Sequence, residues 1–481
     1  MHGAFDTPAL PLIPMAGQIK GICVGAVGIA ETGGGVELSR TLLPRHVSMI
    51  AIGGIIGAGL FVGSSTTIAL TGPAAVISYL IAGLLILLVM RMIAEMAIVL
   101  EGVRTFPDFA RAGLGHLAGF LSGWLYWYFW VVVVAVEAIA GAKIIGGWLP
   151  GVPEWAIGAG LTALMTAVNL MSTRSYGEFE FWFSSIKVAA ILVFSLICAL
   201  WVFGITAPQG FSIGNLTAHG GFAPHGWGPV LAGVASTIFS LCGAEIATIA
   251  AAESPDPAKV IARMTVSVAL RIVIFYVLAI GLIVAVVPWT QIVPGHSPFA
   301  TTLAAMHIPG GETIMSAVVL VAVLSCLNSG LYVTSRALFG LARFGDAPDW
   351  LVHVNARGVP ARAIIAASLF AYGALAAQWL SPGTVFSFLV NSSGVTMILL
   401  YGLVGIAQLK ERTRMEREAP ERLTLKMWFH PFGTLTALGA MLAVLVFMGL
   451  QPDLASQLWM SLLVAALFAA AFWLLRTGKR A

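Results

Sequence analysis

Glu137, Lys187 and Glu245 are among the few ionisable side chains in stretches of the 481-residue sequence that are otherwise almost wholly apolar. A charge inside such a run is costly, so each is a candidate for proton, ion or polar-ligand chemistry. Two further stretches carry chemistry in their main chain. Gly53-Gly54-Ile55-Ile56-Gly57-Ala58-Gly59-Leu60-Phe61 lies within the apolar run from Val47 to Leu70. Its glycines at 53, 54, 57 and 59 suit a continuous helix poorly, because each costs roughly 1 kcal/mol against alanine. Ser240-Leu241-Cys242-Gly243-Ala244-Glu245 likewise puts small residues and a charge at the centre of the run from Pro229 to Ala252. An opened helix bares amides that suit an anion and carbonyls that suit a cation.

Each position also has a plain structural reading. Gly53 and Gly57, with Gly59 and Gly63 repeating the spacing, fit a packing face of small residues. Glu245 fits a buried acid bonded to a neighbouring helix, and Glu137 one that pairs with a polar neighbour. Lys187, two turns beyond Glu180, could snorkel to an interface. Arg91 and Glu95 read as structural residues at the cytoplasmic face. No nucleophile–base pair, dinucleotide loop or metal-ligand cluster stands out. Cys23, Cys198, Cys242 and Cys326 lack disulfide-framework or zinc spacing, so neither disulfide, metal nor cofactor is expected.

The elements that must position these groups follow from composition. The chain is 59% hydrophobic and 10% charged, with mean hydropathy +0.95. Long uncharged apolar runs in such a chain mean transmembrane helices. Twelve spans are predicted, at about 47–70, 74–98, 119–143, 154–172, 182–204, 229–252, 266–287, 314–338, 362–380, 384–408, 432–450 and 455–475. Residues 1–40 read as a mobile cytoplasmic tail, 41–476 as the twelve-helix domain and 477–481 as a short cytoplasmic end. Lys and Arg gather in alternate connections, which puts both termini in the cytoplasm. The mixed-sign tract from Lys410 to Glu418 should extend the tenth helix as a solvated face and not as a nucleic-acid site. On a helical rise, Gly57, Lys187 and Glu245 lie roughly 10–18 Å from the cytoplasmic side, and Glu137 about 25 Å in. Two broken spans in corresponding halves are the sequence pointer to a transporter's substrate site.

The run from Arg45 to Ser64, then Gly72-Pro73-Ala74 and Met90-Arg91-Met92-Ile93-Ala94-Glu95-Met96, resembles the bacterial amino acid permeases of the amino acid–polyamine–organocation superfamily. The resemblance runs from about residue 40 to the end. Trp124 to Trp130, Tyr176 to Trp182 and Phe239 to Ser254 are most similar to the 4-aminobutyrate (GABA) permeases among them.

The resemblance implies an all-α membrane protein of two inverted five-helix repeats, 47–204 and 229–408, with discontinuous helices 1 and 6. Two further helices follow at 432–475. It implies that a substrate carboxylate sits on the amides of Gly57, Ala58 and Gly59. The substrate's ammonium group would be held by carbonyls near Ile55, Phe239, Ser240 and Cys242, with Gly243 and Glu245 in the same second break. Lys187 would carry the coupling proton, and Glu137 would meet the substrate amine. The expected activity is proton-coupled import of 4-aminobutyrate or a similar amino acid across the bacterial inner membrane by alternating access. The expected partners are the amino acid, the proton and the lipid bilayer. A permease for an α-amino acid (proline, histidine or an aromatic one) and a non-transporting membrane sensor or scaffold are the alternatives. One departure stands out: the loop over 101–110 is shortened and lacks the usual Gly-Ser.

Overall fold

The computed structural model describes residues 56–100, 105–171, 173–207, 210–243, 268–355, 358–381 and 384–478, with backbone alone for 173–179 and 476–478. The expected tail, Ile55 and Glu245 lie outside them. Among the described residues every regular element is a helix. Lipid imposes this, because a helix satisfies its own backbone within one segment.

A π-helix over Gly59–Gly63 leads into α1, Ser64–Thr71. A 3-10 turn at Gly72–Ala74 passes the chain to α2, Ala75–Val99. Then come α3 (Phe106–Leu114), α4 (His116–Trp148), α5 (Glu154–Met171) and α6 (Thr173–Val202). The second half holds α7 (Trp227–Ala232) and α8 (Val234–Leu241), then a π-helix at Ile272–Leu278 running into α9 (Ala279–Val286). It continues with α10 (Pro298–Ala305), α11 (Gly311–Arg343), α12 (Ala361–Leu380), α13 (Val385–Glu418), α14 (Phe432–Leu450) and α15 (Pro452–Gly478).

Nine helical runs among the described residues are long and apolar enough to cross a membrane, and Trp227–Leu241 is a shorter apolar run. The runs predicted to either side of Pro73 meet at Gly72, whose φ of 65 and ψ of −148 end α1, and the 3-10 turn leads from there into α2. The inner helices α4, α11 and α13 are buried along most of their length, whereas α14 and α15 expose Leu442, Trp459, Leu467 and Leu474. In water such a surface would drive association; hydrocarbon is its natural solvent.

The shortened loop builds an element of its own. Thr105 Oγ1 donates to Asp108 Oδ2 at 2.7 Å and the Thr105 amide to the same oxygen at 3.1 Å, closing a capping box that starts α3. Phe106 and Phe109 are buried beneath it, and the Phe106 ring packs against Tyr126 of α4 and Tyr401 of α13.

The charged end of α13 is less solvated than its composition suggests. Arg412 is buried and donates to Glu95 of α2 at 2.6 Å; Gln408 donates to the other Glu95 oxygen at 2.7 Å. The Met427 amide also points to Glu95, and Thr434 of α14 donates to Gln408 at 2.8 Å. Only part of the tract faces water, with Glu416 and Glu418 on that side. Glu95 is structural, as its position suggested, and it ties three helices and the 419–431 connection into one knot.

Candidate functional site

Ile56 and Gly57 precede the first described helical residue, Ala58. The Gly57 carbonyl accepts from the Leu60 and Phe61 amides at 3.2 and 3.1 Å. The Ile56 carbonyl, outside that ladder, accepts from Lys187 Nζ at 2.9 Å and from Cys326 Sγ at 3.5 Å. The Ala58 amide donates to both Glu137 oxygens, at 3.1 and 3.2 Å. One carbonyl and one amide two residues apart therefore face an amine from α6 and a carboxyl group from α4. This is what the start of a helix does: its first amides have no partner inside it.

The end of α8 faces this helix start. α8 stops at Leu241 because Cys242 is extended (φ −64, ψ 145) and Gly243 sits at φ +105, where a side chain would be strained. Ser240 Oγ donates to the Gly59 carbonyl at 2.7 Å. Tyr276 Oη donates to the Ser240 carbonyl at 2.9 Å, and Tyr79 Oη lies 3.5 Å from Ser240 Oγ. Gly59 is needed for this closeness: a Cβ there would stand 2.7 Å from Ser240 Cα and 3.2 Å from Phe239 Cε1. Phe239 packs edge-on to Phe129 of α4, with ring centroids 6.3 Å apart.

Lys187 does not snorkel. It is fully buried, donating to Ser325 Oγ at 2.8 Å as well as to Ile56, with Glu180 Oε1 at 3.7 Å. Gly57, Ala58, Gly59, Glu137 and Lys187 thus meet around the helix start, and Phe239, Ser240, Cys242 and Gly243 around the end of α8. Ser240 joins the two.

Sequence reasoning passed over Glu180, Ser325, Cys326, Tyr79 and Tyr276. Glu180 had a legible signal, two helical turns before Lys187 on the same face. Ser325, Cys326 and the tyrosines carry no charge in their apolar helices and gave none. Among the described residues no three His, Cys, Asp or Glu side chains group to hold a metal.

Many apolar helices, two facing helix ends with bare main chain and a buried amine and carboxyl group upon them define a multi-pass membrane permease. The chain belongs to the amino acid permease family, whose profile matches residues 46–479. It is 43% identical to the gamma-aminobutyric acid permease of Bacillus subtilis (strain 168), covering 92% of this chain and 94% of that one. It is 42% identical to a probable GABA permease of Pseudomonas aeruginosa, over 87% of this chain and 88% of the relative. It is 35% identical to an aromatic amino acid transport protein of Salmonella typhimurium (strain SL1344), over 89% and 93%.

Proposed function

We propose that this chain carries a small zwitterionic amino acid, 4-aminobutyrate in the first place, together with a proton from outside the bacterial inner membrane to the cytoplasm. The observation that carries the reading is the first break, where Ile56 offers a carbonyl to Lys187 and Ala58 an amide to Glu137. Main chain that already holds one amine and one carboxyl group suits a substrate bearing one of each. The substrate carboxylate takes the amides of Gly57, Ala58 and Gly59 and turns Glu137 off Ala58. The freed Glu137 carboxylate then meets the ammonium group, which in a γ-amino acid reaches well away from its carboxylate. Phe239, Ser240, Cys242 and Gly243, with Ile55 and Glu245, complete the site.

The names of the relatives at 43% and 42% identity favour 4-aminobutyrate. The relative named for aromatic amino acids favours the second reading, an α-amino acid permease.

Twelve spans in two inverted repeats, 47–204 and 229–408, rock about the broken helices, with 432–475 outside them and both termini cytoplasmic. Lys187 is the proton switch. Charged, it grips the Ile56 carbonyl; after losing its proton it donates more weakly and frees the first helix. One charge moved across 100 mV is worth ~2.3 kcal/mol, roughly fifty-fold accumulation.

The test is uptake of labelled 4-aminobutyrate by proteoliposomes, with and without an inward proton gradient, in competition with proline, histidine and aromatic amino acids. Gradient-driven uptake that unlabelled 4-aminobutyrate suppresses best is expected. Stronger suppression by an α-amino acid selects the second reading, and no uptake of any of them selects a sensor or scaffold.

A further inference from the structure

Glu180 is a wholly buried carboxylate that the site as described does not use. It stands on α6 two turns before Lys187, ~10 Å along the axis. Helical side chains lean toward the N-terminus, and this brings the Lys187 amine back to 3.7 Å from Glu180 Oε1. Between them sits the Ser325 hydroxyl of α11. Lys187 Nζ donates to Ser325 Oγ at 2.8 Å, and Ser325 Oγ donates to Glu180 Oε1 at 2.6 Å. Both bonds run in one direction, from cation through hydroxyl to anion. Ser184 Oγ donates to the same Glu180 oxygen at 3.2 Å.

We infer that Glu180 is the proton acceptor for Lys187, reached through Ser325, so that the coupled proton travels along α6 on a three-member relay. The inference rests on the reading of Lys187 as the proton switch. In the step, an Nζ–H bond of Lys187 breaks and its proton goes to Ser325 Oγ, while the Ser325 Oγ–H proton passes to Glu180 Oε1. An ammonium–carboxylate pair becomes an amine and a carboxylic acid, the hydroxyl is restored, and no other reactant enters. Glu180 lies on the side of Lys187 nearer the cytoplasm in the proposed orientation, so its acid form is the one that discharges inward.

The surroundings favour such a transfer. A buried ion pair is tolerated when hydrogen bonds satisfy all its atoms. Glu180 Oε2 has no hydrogen-bond partner among the described residues. Moving one proton removes both charges together. Two further titratable groups face Lys187 among the described residues, Glu137 of α4 and Cys326 of α11. Glu137 is held on the Ala58 amide, and Cys326 donates to the Ile56 carbonyl, so neither lies on the line to Glu180.

The experiment compares the whole protein in proteoliposomes with Glu180→Gln, Glu180→Asp, Ser325→Ala and Lys187→Met. Labelled 4-aminobutyrate is the probe, and the readouts are gradient-driven accumulation relative to counterflow, and its pH profile. If the unaltered protein ignores the gradient, the parent reading fails. With that response present and lost in Lys187→Met, Glu180→Gln should bring accumulation from roughly fifty-fold toward unity and flatten the pH profile. Glu180→Asp should restore part of both, and Ser325→Ala should shift the profile. Glu180→Gln that keeps the original ratio and profile overturns the inference. Should Glu180→Gln fail to reach the membrane, an unchanged profile in Ser325→Ala overturns it and a shifted one sustains it.

Discussion

The hydroxyl of Ser240 donates to the carbonyl of Gly59 at 2.7 Å across 181 positions of chain, and in doing so stitches the end of α8 to the helical run that starts at Ala58. The bond ties the shape of the site to the approach of two helices. Ser240→Ala removes one buried hydrogen bond, worth about 1 kcal/mol. Apparent affinity for 4-aminobutyrate should fall about fivefold, read as KM in vesicle uptake.

Two glycines four residues apart separate close approach from mere small-residue packing. A Cβ on Gly59 meets backbone, Ser240 Cα at 2.7 Å, whereas on Gly63 the nearest atom is the Ala58 carbonyl oxygen at 3.5 Å. Gly59→Ala should cut transport on the order of a hundredfold, because it pushes the two breaks apart. Gly63→Ala should leave it near the original rate. Equal tolerance of both would remove the role given to this contact.

Glu137→Gln keeps an oxygen for the Ala58 amide but removes the charge. Charge-assisted hydrogen bonds are roughly twice as strong as neutral ones, so the expected loss is about tenfold in apparent affinity for 4-aminobutyrate. An unaltered KM would take Glu137 out of the binding site.

At the other end of α2, Arg412→Ala leaves Glu95 buried beside an absent cation. Removing one partner of a buried pair costs about 3–5 kcal/mol. The unfolding temperature in detergent should drop clearly, whereas Arg417→Ala, an exposed side chain of the same tract, should scarcely change it.

His430 beside this knot gives stability a pH dependence. Burial, and then the nearby Arg412, hold its imidazole below the ordinary histidine range. The unfolded chain takes up that proton first, near pH 6.5. Stability is therefore intact above that pH and is lost as the pH falls through the folded value. Thermal unfolding at pH 7.5 and 5.5 should show the decline, and His430→Gln should reduce it.

The helices were legible because lipid allows few alternatives: an apolar run of about twenty residues has little else to become. The helix start at Ala58 was legible from the glycines at 57 and 59, and the helix end at Leu241 from Cys242-Gly243. Partnerships were not. Glu137 meets Ala58 across 79 positions and Lys187 meets Ser325 across 138, and no local period reports such distances. Glu180 looked like a boundary charge because Arg174 and Glu178 come just before it in sequence. The α13 tract looked solvated because mixed charges usually are, yet Glu95, more than 300 residues earlier, claims Arg412 for the interior.

That last pairing bears on biogenesis. Glu95 enters the bilayer early, while Gln408, Arg412 and the Met427 amide follow 313, 317 and 332 residues later. Until the ribosome has delivered them, α2 holds an acid at the membrane edge without its mates. A nascent chain stopped short of residue 408 is thus an obvious client for membrane quality control, and final assembly waits on the C-terminal third.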